Sequence, residues 1–332
     1  RILLPDKFDP YASFHVPAGT DLSTPYLLDD QLTSLSFDAS LAEFTLSIPN
    51  SSRGQRYVND DPAQGEAGAA YILIHAQGKL KFPGFDMNGA FDLEVKENFA
   101  LMTVYADLRI DFGSYTLLDL DAVGVLQISA EGMAGKMKLS LGTGGKLPLE
   151  GLGIPGFTLN ADATMDLLIN TTRSQVDILL PERFDPYDAF NIAQGTDLSA
   201  GYPLDDMLTS LTKVQNDTIL TIPNTPGGQV AEGGVQYILA RFEGKLEFTG
   251  FYLDGSFDLM LDSYSAVMTG HANLRLSFGP GLDLLDMTAV GVLKIDDKGV
   301  AGKFKLTQNG NKVPFEGLGF GLTMTASFDL LI

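Results

Sequence analysis

"ALMTVYADLRIDF", residues Ala100–Phe112, is the stretch whose reading decides the fold. Ala100, Met102, Val104, Ala106, Leu108, Ile110 and Phe112 take one side of it, while Leu101, Thr103, Tyr105, Asp107, Arg109 and Asp111 take the other. Alternation of period two sends successive side chains to opposite faces of an extended chain, so this is a half-buried β-strand. Ala266, Met268, Gly270, Ala272, Leu274, Leu276 and Phe278 fill the same slots further on. "YILIHAQGKLKF" alternates as well, with Ile72, Ile74, Ala76, Gly78, Leu80 and Phe82 opposite His75, Gln77, Lys79 and Lys81, and "FTLNADATMDLLI" does so from Phe157 to Ile169. Runs of about twelve such residues give strands roughly 40 Å long, well beyond the usual five or six residues. Strands of that length must twist and coil.

The pattern occurs twice because the chain does. "ILLPDKFDPY" begins at Ile2 and "ILLPERFDPY" at Ile178. The matched positions Ile2 and Ile178 lie 176 residues apart, Gly78 and Gly244 lie 166 apart, and Asp166 and Asp329 lie 163 apart. Most of that drift falls at "SSRGQRYVNDDPAQGEAGAA" (51–70), for which the second copy has the shorter "TPGGQVAEGGVQ"; both are polar and Gly-rich and read as surface loops. The expected organisation is a first unit over 1–169, a short polar linker over 170–177 and a second unit over 178–332. A length of 332 residues suits two such units. Ile332 matches Ile169, which suits a piece of a longer tandem array. The expected fold class is mainly β: two homologous units of long, curved antiparallel sheet with one or a few short helices.

Glycines punctuate the strands at matched places, Gly78, Gly84, Gly89 and Gly124 against Gly244, Gly250, Gly255 and Gly291. Inside strands they mark bulges, bends or close approach, so the sheet is expected to bend around something. One helical signal stands out in "STPYLLDDQLTSLS": Thr24 as N-cap, Pro25 at the first helical position, early Asp29 and Asp30, and Leu28, Leu32 and Leu35 on one stripe. "GYPLDDMLTSL" keeps Leu204, Leu208 and Leu211. The expectation is a short amphipathic helix closing one end of each sheet.

Composition narrows the function. Hydrophobic residues make up 45% and charged residues 19%, which fits a folded chain and argues against extended disorder. With 42 acidic against 22 basic residues the field repels phosphate backbones and anionic head groups, so no nucleic-acid partner is expected. No apolar run approaches the roughly 20 residues of a membrane-spanning helix, so no transmembrane segment is expected. With no cysteine there is no disulfide, no thiolate and no cysteine-based zinc site. Asn50-Ser-Ser, Asn170-Thr-Thr and Asn216-Asp-Thr satisfy the N-glycosylation pattern in polar segments, which favours a secreted, extracellular glycoprotein.

Duplication tests any reactive site, because a group needed in both units should recur at matched positions. His15 faces Asn191, His75 faces Arg241, and His271 faces Tyr105, so no histidine recurs. No metal site and no catalytic residue is expected. The acidic pairs Asp29/Asp30 and Asp205/Asp206 do recur, and their place in a predicted first helical turn is explained by the helix macrodipole before catalysis. "NDDPAQGEAG" departs from a calcium loop, and "GLGIPG" and "GTGG" are not phosphate cradles. What recurs is apolar: Phe82 with Phe248, Phe91 with Phe257, Leu93 with Leu259, Met102 with Met268, and Leu108 with Leu274, alongside Val104. Their bland meaning is hydrophobic core. Their functional meaning is the lining of a cavity for a long apolar ligand, because a face bearing Ala and Gly between Met, Leu and Phe leaves volume that something must fill.

"YILIHAQGKLKFPGFDMNGAFDLEVKENFALMTVYADLRIDFG", with its G-x-L-x-[FL]-P-G-[FL]-x-x-x-G-x-[FY]-x-L core, resembles the central region of the arthropod takeout and juvenile-hormone-binding proteins. "FDPYASFHVPAGTD" is similar to a stretch of the related mite group 7 allergens. The resemblance covers roughly residues 45–169 and 219–332. It implies a long curved sheet rolled around a helix into a tubular lipid-binding pocket. The family's N-terminal disulfide has no counterpart here, and neither unit offers a clear candidate for the long axial helix. Long amphipathic strands of this type also resemble the lipid-facing sheets of vitellogenin and apolipophorin relatives, which implies the same ligand class.

The expected function is therefore a non-enzymatic secreted carrier or store for an apolar small molecule such as a lipid, terpenoid hormone or carotenoid, with no catalytic cofactor. The rival is a ligand-free structural or storage protein whose two sheets pack on each other. Exposed edges of long strands favour pairing into a homo-oligomer.

Overall fold

The computed structural model describes residues 1–5, 8–28, 32–50, 71–82, 85–112, 115–141, 158–159, 164–181, 184–204, 206–215, 217–231, 233–248, 251–261, 266–277, 283–296, 299–308 and 328–331. The loop expected over 51–70, the glycine segments of 142–156, Gly84, Gly250, Phe278, Asp29, Asp30, Asp205 and Asn216 lie outside the described residues.

The alternating runs form strands of the expected kind. In the first half they are β5 (Ile72–Phe82), β6 (Phe85–Val95), β7 (Phe99–Phe112), β8 (Tyr115–Ser129), β9 (Gly132–Ser140), the two-residue β10 (Thr158–Leu159) and β11 (Thr164–Asn170). In the second they are β16 (Tyr237–Phe248), β17 (Phe251–Leu261), β18 (Ala266–Ser277), β19 (Asp283–Asp296), β20 (Gly299–Gln308) and β21 (Phe328–Leu331). Together they make one curved antiparallel sheet in the order β21-β20-β19-β18-β17-β16-β11-β9-β8-β7-β6-β5, with β10 paired to β16. The protein is mainly β. The two halves share this sheet through a seam between β11 and β16, where Leu168 stands opposite Leu239 and Asp166 opposite Arg241.

Each half also has a small four-stranded sheet. The first is β1 (Ile2–Leu3), β4 (Glu43–Ser47), β3 (Ser34–Asp38) and β2 (Tyr26–Leu27) in spatial order; the second is β12 (Val176–Leu179), β15 (Asp217–Ile222), β14 (Ser210–Val214) and β13 (Tyr202–Pro203). The second small sheet lies on the outer face of the first half: Ile178, Phe190, Leu211 and Leu220 pack with Leu101 of β7 and Val125 of β8.

Among the described residues the expected helices do not form. Tyr26–Leu27 pairs with Ser34–Leu35, and Tyr202–Pro203 pairs with Ser210–Leu211, so both segments are strand pairs. The physical reason is tertiary: extended pairing puts Leu28 and Leu35, and likewise Leu204 and Leu211, into the cores of the small sheets, which an isolated helical turn with weak nucleation would not offset. Helix forms instead from the last two residues of the repeated phrase onward, as single turns α1 (Pro10–Ser13) and α2 (Pro186–Ala189). Asp9 and Asp185 cap them, each carboxylate accepting the N–H groups two and three residues on, and proline takes the first helical position. Among the described residues no helix is long and apolar enough to cross a membrane, and the axial helix implied by the family resemblance is not among them.

Sharp curvature needs close backbone approach, and matched glycines supply it. A Cβ on Gly124 would stand 2.1 Å from the Lys136 carbonyl oxygen, and one on its repeat Gly291 would stand 2.3 Å from that of Lys303. Both distances lie inside van der Waals contact.

Candidate functional site

The inner face of the long sheet gathers the apolar residues that the two halves share. Phe91, Met102, Val104 and Leu108 from the first half and Phe257, Leu259, Met268 and Leu274 from the second all belong to one buried cluster, with Phe82 and Leu93 partly buried against it. Phe248 lies in β16, with its side chain outside what is described. The cluster runs from Phe85 in β6 to Leu306 in β20 without a break at the seam, where Met165, Leu167, Ile169, Ala240 and Phe242 join it. Phe242 and Phe257 stack across the β16–β17 pair with centroids 5.2 Å apart. Methionine is prominent, with Met87, Met102, Met137, Met165, Met268 and Met287 all buried in the cluster. Unbranched thioethers fill irregular gaps and adapt to changes of shape better than branched side chains.

The outer face carries the polar chemistry. Lys136, on β9, is almost fully buried, and its Nζ donates to Asp166 Oδ1 at 2.7 Å and also to Asp206 Oδ2. Asp206 additionally accepts the N–H groups of Leu208 and Thr209, each at 2.7 Å, and the Thr209 hydroxyl. Burial pushes the Asp206 carboxyl up, but the Lys136 charge and the hydrogen bonds from Lys136 and Thr209 outweigh it and hold the group below the ordinary carboxylate range. Arg241 grips the Asp258 carboxylate with Nε and Nη2 and donates through Nη1 to the Asp206 carbonyl. Its pairing with Asp258 raises the guanidinium further. Burial, and then the Asp206 charge, pushes the Tyr237 phenol up, and its hydroxyl donates to the Pro223 carbonyl at 2.9 Å. This cluster stitches β9, β11, β16 and the second small sheet together. Among the described residues no helix starts at Asp206, and its carboxylate is held by the ion pair with Lys136 and not by a helix dipole.

Arg241, Glu243, Ser256, Asp258, Thr269 and His271 line an outer groove of about 610 Å³. Ser256 and His271 are cross-strand neighbours, but the Ser256 hydroxyl donates to Glu243 Oε1 at 3.2 Å. A nucleophile arrangement needs the imidazole between hydroxyl and carboxylate, and here the hydroxyl lies in the middle. His15 occupies a left-handed turn position at φ 52°, and its match Asn191 sits at φ 54°; that position is chosen for backbone shape, where Asn is favoured. His75 Nδ1 lies 2.7 Å from Asp92 Oδ1, repeating the Arg241–Asp258 contact. Among the described residues no group of three or more His, Asp or Glu side chains is placed to hold a metal ion.

The sequons separate. Asn50 is partly exposed beyond β4. Asn170 is fully buried: Nδ2 donates to the carbonyls of Ser174 and Pro223, both at 2.8 Å, while Oδ1 accepts from the Thr172 N–H and hydroxyl. Both amide hydrogens are engaged and the side chain is enclosed in the fold. The same bonds build a turn from Asn170 to Ser174, between the end of β11 at Asn170 and the start of β12 at Val176.

Sequence reasoning missed the Lys136–Asp166–Asp206 cluster. The only signal was the recurrence of Asp206 with Asp30, of Lys136 with Lys303 and of Asp166 with Asp329. Comparison with known proteins finds no matching family model, no matching curated protein and no matching solved structure.

Proposed function

We propose that this chain is a secreted carrier or store for a hydrophobic small molecule, a lipid, terpenoid hormone or carotenoid, held against the inner face of its curved sheet. One observation carries the reading: the apolar positions kept in both repeats collect on a single uninterrupted surface rich in methionine, alanine and glycine. Such a lining recognises size and greasiness and supplies few polar anchors. Binding would be driven by apolar area withdrawn from water, at about 25 cal/mol per Å² before ordering costs. The likeness of the "GKLKFPGFDMNGAFDL" stretch to takeout and juvenile-hormone-binding proteins supports the same ligand class.

A second reading, a structural protein with a self-filled interior, is favoured by the near-complete burial of Val104, Phe257, Met268 and Phe304 by the chain itself. One experiment separates them. Organic-solvent extraction of the protein from its natural source, followed by absorbance and mass spectrometry, is expected to release an apolar compound in stoichiometric amount. An extract with none would overturn the carrier and leave the structural reading.

A further inference from the structure

The central seam of the molecule recurs, split in two, at its ends. At the seam, Leu168 of β11 faces Leu239 of β16, Leu167 faces Ala240, and Asp166 faces Arg241. In the repeat, β11 becomes β21, with Asp329 for Asp166 and Leu331 for Leu168, and β16 becomes β5, with Leu73, Ile74 and His75 for Leu239, Ala240 and Arg241. β21 and β5 are the two terminal strands of the long sheet. The seam therefore displays how a β21 edge would meet a β5 edge: antiparallel, with Leu331 opposite Leu73 and Leu330 opposite Ile74.

Burial follows the same division. Leu168 is 0% exposed and its repeat Leu331 is 73% exposed; Ala240 is buried and Ile74 is bare. The second small sheet covers the outer face of the first half through Ile178, Phe184 and Ile222 against Leu101 and Val125. The first small sheet carries the same residue types as Ile2, Phe8 and Ile48, and the outer face of the second half carries Val267 and Val292 for Leu101 and Val125. All five are exposed, Ile2 at 49% against 0% for Ile178, and Val292 at 44% against 0% for Val125. Leu3 and Leu179 serve as a control: they match, and both are exposed. A position that keeps its apolar residue in both repeats but is buried in only one differs by its neighbour. Two residue types of the ionic cluster recur at the β21 end, as Lys303 in β20 and Asp329 in β21.

We propose that a second copy of this chain docks head to tail, its β5 edge extending the sheet at β21 and its first small sheet covering the outer face of β18 and β19. Each end is the complement of the other and not of itself, so the contact is heterologous and propagates into rings or open chains. It buries, on both partners, the side chains that the central seam buries within one chain. An exposed strand edge bordered by apolar side chains is a template for such pairing.

The test uses two variants of the 332-residue chain, altered only at exposed positions: Ile2→Lys with Ile74→Lys blocks the head, and Val292→Lys with Leu331→Lys blocks the tail. Masses are read by sedimentation at physiological ionic strength, where repulsion between copies of net charge −20 is screened beyond about 8 Å. Wild type is expected to exceed its 35.7 kDa monomer mass increasingly with concentration, and each variant alone to stay at that mass with unchanged circular dichroism. An equimolar mixture of the two variants should form a species of twice the monomer mass and nothing larger, because one open head meets one open tail. A wild type that stays monomeric throughout, a mixture that fails to pair, or a blocked variant that still assembles would overturn the proposal; the last would point to a different surface or partner.

Discussion

Lys136 and Asp206 stand 70 positions apart in the chain and on opposite sides of the linker, yet they meet as an ion pair from which water is excluded. Asp166 completes the arrangement from β11. Breaking a buried pair by removing one partner leaves an uncompensated charge, which costs about 3–5 kcal/mol. Lys136→Met and Asp206→Ala are each expected to lose stability in that range in urea unfolding, and Lys136→Met combined with Asp206→Ala to lose clearly less than the sum. Strict additivity would show that the two groups do not act together.

The same carboxylate sets an acid dependence. Because Asp206 is held below its ordinary value in the folded chain, its contribution is present above the unfolded value of about 4 and is lost as pH falls through the lower folded value. Thermal midpoints of the wild type should therefore drop as pH is lowered below about 4. In Asp206→Asn that share of the drop should be missing, so parallel wild-type and variant curves would refute the assignment.

Gly124 and Gly291 should tolerate no side chain. A methyl group at either meets the backbone of the neighbouring strand, and overpacking of this kind costs about 1–3 kcal/mol. Gly227, around which a Cβ would meet nothing within 4 Å, is the control. Urea midpoints of the three alanine variants should separate into two destabilised proteins and one near wild type.

Asn170 is expected to carry no glycan when the chain is made in a secretory host, as read by peptide mapping before and after glycosidase treatment. Asn170→Asp, which removes both amide hydrogens and places a carboxylate against the carbonyls of Ser174 and Pro223, should destabilise by at least about 1–3 kcal/mol. A quantitatively glycosylated and fully stable Asn170 would contradict the buried turn.

The long strands were legible because period two and a buried face are the same fact seen twice: Met102, Val104 and Leu108 alternate with polar residues along the sequence and turn inward together in the sheet. The apolar lining was legible for that reason, and the repeat confirmed each position by its copy. The segments around Leu28 and Leu204 were not. Their Pro and Asp residues mimic a helix start, and only pairing with β3 and β14 reveals that extended backbone buries more apolar surface. Asn170 read as an exposed sequon because a polar triplet carries no mark of burial; its hydrogen bonds are made to Pro223, 53 positions away.

By itself the sequence determined the strand period, the doubling of the module and the identity of the greasy face, since these depend on neighbours within a few residues and on comparison of one copy with the other. Tertiary structure alone decided that the two copies share a single sheet, that Lys136 pairs with Asp206, and which copy of each apolar position is covered. Those outcomes rest on contacts between distant segments, and identical residues such as Ile2 and Ile178 differ only in what the fold lays against them.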